Sequence, residues 1–512
     1  MKTPILGSSY VARSVNAADN RMVNLFPEIV PEGGKEPAFL QRAPGLLLQQ
    51  TIGTGPIRGL WAQQNSAAAF YVVSGNGMYA LTSLTGTPRL LGTVAGTGPV
   101  SIAYNGTQLF IAAGATSYIY NEVIDQFAAI IDPDFPGAGT VSYLDGYFVF
   151  NEPNSQKIWV TGLLDGASID PLDFASAEGS PDGVVAVLAD HRELWVFGTD
   201  TTEVWYNAGT SGFPLERIQG AFNELGCAAP FSVAKMDNQI YWLGQDARGR
   251  GVVYKAAGYV GQRVSTHAVE WQIQEYSDIS DATGYTYQQD GHSFYVLNFP
   301  SANATWVYDV ATQAWHECAA LEDSEFTRHR ANNMCNYQGN IVVGDYQNGN
   351  VYTFDLTVYS DNGQPQKWLR SWRALPTGQN NLRRTVQHSL QLDCETGVGL
   401  DLYPAYAAQD LVTESGDFLV TEDLSYLITT SYPAAPGYNP QAMLRWSDDG
   451  GHTWSNEHWR SMGQIGQFGR RTIWRRLGMT QKIRDRVYEV SGTDPVRLYI
   501  MGAELILNGT NA

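Results

Sequence analysis

The stretch Val184–Asn207, VVAVLADHRELWVFGTDTTEVWYN, holds an apolar strand, a polar turn, a second apolar strand, another turn and a third strand ending in aromatics. Alternation with turns this closely spaced argues for β-structure and against helix. The same cadence runs through Ile57–Leu81, Val100–Tyr120 and Val141–Val160 ahead of it, and through Phe231–Tyr254, Gly284–Tyr308 and Asn332–Phe354 behind it. A polar pair recurs in the first turn: Asn105-Gly106, Asp145-Gly146, Asp237-Asn238, Asp290-Gly291 and Gln338-Gly339. Such pairs suit two-residue hairpin turns that need a positive φ. Units start roughly 40 to 50 residues apart, the spacing of propeller blades rather than of helical or leucine-rich solenoids. Residues 56–360 therefore read as a β-propeller of six or seven blades, with a large β-sandwich as the competing arrangement.

The flanks follow other rules. Residues 1–55 are punctuated by Pro and Gly, alternate little, and read as an extended N-terminal arm or packing segment. After residue 360 the chain turns polar, then basic, and strand-like runs appear at Thr385–Asp393, Met443–Trp446, Arg471–Gly478, Arg486–Val490 and Val496–Leu507. These predict a smaller antiparallel β-sandwich-like domain over 361–512. The whole chain is thus expected to be all-β, and 512 residues exceed what one ordinary core organises.

Charge divides the two parts. Residues 1–366 hold 17 Lys and Arg against 36 Asp and Glu, so the net −19 sits there, while the remainder is balanced. The opening MKTPILGSSYVARS has no apolar run long enough for a signal-peptide core, and nowhere are 18 apolar residues consecutive. The expectation is a chain that neither inserts in a membrane nor is exported by that route. Cys227, Cys318, Cys335 and Cys394 are scattered without a C-x-x-C spacing, which points to buried thiols rather than a disulfide framework or zinc site.

Signatures for nucleophilic, phosphate-binding and metal chemistry are missing: there is no G-x-S-x-G, G-x-x-x-x-G-K-[ST] or H-E-x-x-H. His316 and His329 with Cys318 and Cys335 match no finger or ribbon spacing. The adjacent acids Asp448-Asp449 and Glu322-Asp323 read as loop charges rather than an acid/base pair. No catalytic residue, cofactor or metal is expected.

Two motifs remain. Ser447, Asp449, Gly451, Thr453 and Trp454, within LRWSDDGGHTWS, fit the Asp-box of sialidase-type propellers: a carboxylate caps turn amides, a glycine supplies an unusual φ, and a tryptophan packs beneath. One box outside the repeats predicts a structural turn. The stretch GRRTIWRRLG, with Arg484 and Arg486 behind it, concentrates positive charge. Alternation predicts Arg471, Ile473 and Arg475 on one strand face and Thr472, Trp474 and Arg476 on the other. Nucleic acid is one partner for such a strand. The preferred reading makes Arg470, Arg471, Trp474, Arg475 and Arg476 a subunit interface answered by acids of a neighbouring copy.

Taken together, the N-terminal VNLFPE…RAPG, the blade DGYFVFNEP…IWVT, the stretch SPDGVVAVLADHRELWVFGTDTTEVWYN and the C-terminal RWSDDGGHTW…RRTIWRRLG resemble the packaged-DNA stabilisation protein, or tail hub (nozzle), family of short-tailed bacteriophages (podoviruses). The resemblance implies a non-enzymatic structural protein of the virion, assembled in the bacterial host cytoplasm. It implies a homo-hexamer beneath the portal and its adaptor (head-completion) protein, closing the channel around packaged DNA. Genome ejection would pass double-stranded DNA through it without tight binding, and a tail fibre, spike or needle protein would attach to it. No family site residue transfers individually. The competing functions are a glycan-binding or sialidase-like propeller, raised by the Asp-box, and a general interaction propeller.

Overall fold

A computed structural model describes residues 1–14, 17–63, 69–177, 179–246, 249–376, 384–401, 413–414, 420, 435–481 and 486–509. Each of the seven repeat windows supplies the three inner strands of one sheet. Blade 1 is Ile57–Ala62, Phe70–Ser74, Gly77–Leu81 and Arg89–Thr93; blade 4 is Val184–Asp190, Glu193–Gly198, Thr202–Asn207 and Leu215–Asn223. The innermost strands follow one another in a ring, from Ile57–Ala62 through Ser101–Tyr104, Val141–Leu144, Val184–Asp190, Ala234–Met236 and Thr283–Gln289 to Ala331–Tyr337, which packs against Ile57–Ala62 again. Among the described residues this is a closed propeller of seven blades.

The turn pairs explain the hairpins. Asp145, Asp237, Asn238, Asp290 and Gln338 all have φ between 47° and 55°, with Gly146, Gly291 and Gly339 following at positive φ. Asn105 differs: only Gly106 is positive, and the Asn105 carboxamide accepts the N–H groups of Thr107 (3.0 Å) and Gln108 (2.7 Å). Blade 4 makes the same turn with His191 and Arg192, at φ 50° and 65°. Arg192 is braced there by two bonds of 3.0 Å to Asp145 of blade 3.

The residues ahead of the blades are shared between both bodies rather than forming a separate arm. Gly45–Thr51 pairs antiparallel with Asn350–Asp355 and is the fourth strand of blade 7, so the two ends of the propeller segment close in one sheet. Lys2–Thr3, Leu25–Ile29 and Ala38–Arg42 join Thr385–Cys394, Thr472–Arg475 and Tyr499–Gly509 in one sandwich sheet. Met22–Val23 joins Trp368–Arg373, Val487–Gly492, Gln441–Ser447 and His458–Ser461 in the other, and through Val23 and Glu317 that sheet runs on from blade 6. Lys2–Thr3 and Met22–Val23 escape a local pattern because they are two residues long and their partners lie far along the chain, as Thr3 and Ala503 or Met22 and Arg370 do. The sandwich core is filled by Trp368, Trp372, Trp474, Leu390, Tyr488 and their neighbours, each almost fully buried.

Candidate functional site

All seven innermost strands converge on the propeller axis. It encloses a cavity of about 430 Å³ lined by Leu60, Ile102, Ser142, Val187, Phe231 and Asn333, among others. Arg58 reaches it but is not free for a ligand: its guanidinium donates to the carbonyls of Gly98 (2.6 Å), Ala95 (2.9 Å), Gly75 (3.0 Å) and Val94 (3.0 Å). Burial lowers its pKa from the ordinary arginine value.

The titratable groups singled out in the sequence are mostly structural. Burial pushes the imidazoles of His316 and His329 down to about 4, which keeps them neutral. Cys227, Cys318 and Cys394 are buried free thiols, and Cys335 is half-buried. Burial pushes Cys227 up to about 11 and Cys394 up to about 12, the reverse of what a reactive thiol needs. Among the described residues no group of three His, Cys, Asp or Glu is placed to hold a metal ion. Glu322 accepts from Arg330 (3.0 Å) and Gln347 (3.1 Å), while Asp323 occupies a turn at φ 50°.

The Asp-box residues form the hairpin between Gln441–Ser447 and His458–Ser461. Ser447 Oγ donates to Asp449 Oδ1 (2.6 Å) and accepts the Gly451 N–H (2.8 Å). Asp449 accepts from the Thr453 N–H (2.8 Å) and the Thr453 hydroxyl (2.6 Å). Hydrogen bonds from Ser447 and Thr453 hold its carboxyl well below the usual range. Gly450 and Gly451 have φ of 80° and 106°. Trp454 lies under the Arg445 guanidinium at 4.8 Å. The neighbouring Asp448 is paired with Arg486 at 2.7 and 2.9 Å. Both acids of the pair are thus engaged by their own fold. Replacing Asp449 by alanine is expected to destabilise the sandwich by about 1 kcal/mol, as a lost cap does. A denaturant midpoint unchanged in that variant would refute the role.

The basic strand needs two corrections. Trp474, grouped with the arginines as a contact residue, is 1% exposed and its Nε1 donates to the His458 carbonyl at 2.6 Å; it belongs to the sandwich core. Its neighbour Thr472 is buried on the same face. Arg476 does not share that face, because its φ of 62° turns the chain out of the strand and leaves it exposed. Arg470, Arg471 and Arg475 are exposed too, and among the described residues none of these four arginines is in an ion pair. Arg486 is 1% exposed and paired, so it adds nothing to the surface charge; Arg484 lies outside the described residues. Sequence reasoning missed the exposed Trp459, Ile465 and Phe468 beside these arginines, since only the fold shows which apolar residues stay uncovered.

A family model described as bacteriophage P22 Gp10, beta-propeller, matches residues 1–359, and one described as bacteriophage P22 Gp10, beta-sandwich, matches residues 368–507. The chain belongs to the bacteriophage P22 Gp10 family. Members of this family are structural phage proteins that stabilise packaged DNA, and the chain is such a protein, a component of the virion. The family division assigns the whole N-terminal segment to the propeller, whereas strands Lys2–Thr3 to Ala38–Arg42 lie in the sandwich sheets. No curated protein matches the chain. Among solved structures, the chain is similar to a computationally designed protein, Ika8, at 14% identity over 61% of this chain and 99% of that one, with a TM-score of 0.38. It is also similar to a chain of the mitotic checkpoint complex (13%, 64% and 97%, TM-score 0.39) and to U3-55K (11%, 61% and 99%, TM-score 0.39). Scores this low carry no functional argument.

Proposed function

We propose that six copies of this chain form a ring at the tail of a short-tailed phage, below the portal and its adaptor, closing the exit around packaged DNA until the genome leaves. The observation that carries this reading is the family match across residues 1–359 and 368–507. The structure supports it in two ways. The body is a closed propeller stapled to a sandwich, and residues of all seven blades line one axial cavity, which favours a conduit built between copies over one along the propeller axis. Tail fibre, spike or needle proteins attach to this ring, which acts without cofactor or catalysis.

The acidity of residues 1–366 bears on how DNA is held. A lumen rich in Lys and Arg would collect phosphates and slow sliding through counterion release. Six acidic bodies would instead centre the duplex by repulsion, screened beyond ~8 Å at physiological salt. Part of the acid surface therefore faces the lumen. Light scattering of the purified protein should give a sixfold mass, and short duplex DNA should elute separately from it in low salt. A stable monomer would remove the ring, and tight duplex binding would remove the repulsive conduit.

A further inference from the structure

Two exposed surfaces of opposite character lie at opposite ends of the molecule. The sandwich is joined to blades 6 and 7, through Val23 and Glu317 and through strand Gly45–Thr51, so blades 2 and 3 lie across the ring from it. There, Val123 and Ile124 form the tip of a turn in blade 2, and Leu163 and Leu164 a turn in blade 3; all four are more than half exposed. Asn105 Nδ2 donates to the Leu164 carbonyl (3.4 Å) and the Leu164 N–H donates to Gly146 (2.8 Å), which puts the two tips on one rim.

The rim is built rather than incidental. Hydroxyls of Tyr71 and Tyr104 both donate to Glu122, and Asn121 Oδ1 accepts the N–H groups of Val123 (3.0 Å) and Ile124 (3.3 Å). Leu164 is held at φ 58°, a conformation unfavourable for a leucine. Turn tips normally carry polar residues, and grouped exposed aliphatics mark a surface that meets another. The tips themselves carry acid: Glu122 and Asp125 flank Val123 and Ile124, Asp165 follows Leu164, and Asp145 adjoins them, while the nearby Arg89 and Arg192 answer only Asp125 and Asp145.

At the other end, strands His458–Ser461 and Thr472–Arg475 are the outermost of the two sandwich sheets, linked where Arg460 Nε donates to the Ile473 carbonyl at 3.1 Å. Trp459, Ile465 and Phe468 stand more than half exposed beside Arg470, Arg471 and Arg475. Arginines on an edge strand also deter strand addition, but that role does not call for three uncovered large apolar side chains.

We propose that the acidic, aliphatic rim of blades 2 and 3 seats on the arginine- and aromatic-bearing sandwich edge of a second copy of this chain. The pairing rests on the ring reading above and names its contact. Two unlike surfaces on one chain make a head-to-tail contact, the kind that forms a ring where the rotation between successive copies closes, whereas a two-fold dimer of either surface would face like charges.

The test uses two full-length variants, Val123→Asp with Leu163→Asp at the rim, and Arg471→Glu with Arg475→Glu at the edge. Thermal midpoints near that of the wild type would show that both fold. Native mass spectrometry should find each variant alone monomeric, with association weakened about a hundredfold or more. Mixed together they should form one-to-one dimers and nothing larger, since each retains the surface the other has lost. A variant that still forms the ring, or a mixture that stays monomeric, would overturn the pairing while leaving the ring itself standing. A wild-type protein that never associates would instead overturn the ring reading beneath it.

Discussion

Leu46→Asp is expected to unfold the propeller at temperatures the wild type survives, at a cost of about 4 kcal/mol or more. Leu46 is 1% exposed on the strand that closes blade 7, opposite Phe354, and packs with Phe26, Tyr352 and Val343. A carboxylate there would be buried without a designed partner in the sheet that joins residues 45–51 to residues 350–355. This strand is hydrogen-bonded into blade 7 and leads on into blade 1, so losing it also frees the face shared by blades 7 and 1. Leu47→Asp is the control: the next residue is 41% exposed, and its substitution should change stability by no more than about 0.5 kcal/mol. Equal melting of the two variants would contradict the closure role.

The second large effect is at the seam between the two bodies. Arg42 is 2% exposed, and its guanidinium donates to the carbonyls of Gln366 (2.6 Å), Asp494 (2.7 Å), Val496 (3.0 Å) and Tyr359 (3.2 Å). Arg42→Met keeps the stem but leaves these acceptors without their donor, and a loss of about 3–5 kcal/mol is expected. Asp361 reports on the same seam. Burial pushes its carboxyl up to about 7, against the opposing pull of the Arg42 charge and the Gln366 hydrogen bond. Between the unfolded value near 4 and this folded value, the folded state holds a proton that the unfolded state has lost. This group therefore lowers stability as pH rises through that window, with its full cost present above it. Asp361→Asn should gain on the wild type as pH is raised from 4 to 8 in urea titrations. Parallel pH profiles for the two proteins would refute the assignment.

The seven windows were legible because the second strand of each blade is buried on both faces over most of its length and the first turns of blades 2 to 7 take positive φ, conditions that leave their mark on residue type. The fourth strands were not. Arg89–Thr93, Gln126–Ala129 and Val260–Arg263 are four or five residues long and half exposed, too short for their alternation to announce a strand. His191-Arg192 hid a turn because its support comes from Asp145 of another blade. The N-terminal strands hid for the same reason at larger scale: Gly45–Thr51 is specified by residues some 300 positions away. At the basic strand, alternation correctly separated Arg471 and Arg475 from Thr472 and Trp474. It failed at Arg476, where positive φ ends the strand, and it could not tell that Trp474 faces a core rather than a partner.

A protein of this family is expected to keep DNA inside a filled head. The direct measurement is nuclease-protected DNA per particle, in phage heads assembled without this protein and in the same heads after the purified protein is added. Heads lacking it should fill and then lose their DNA, and addition of the wild-type protein before loss should restore protection. Heads that keep a full genome equally well without it would contradict the assignment.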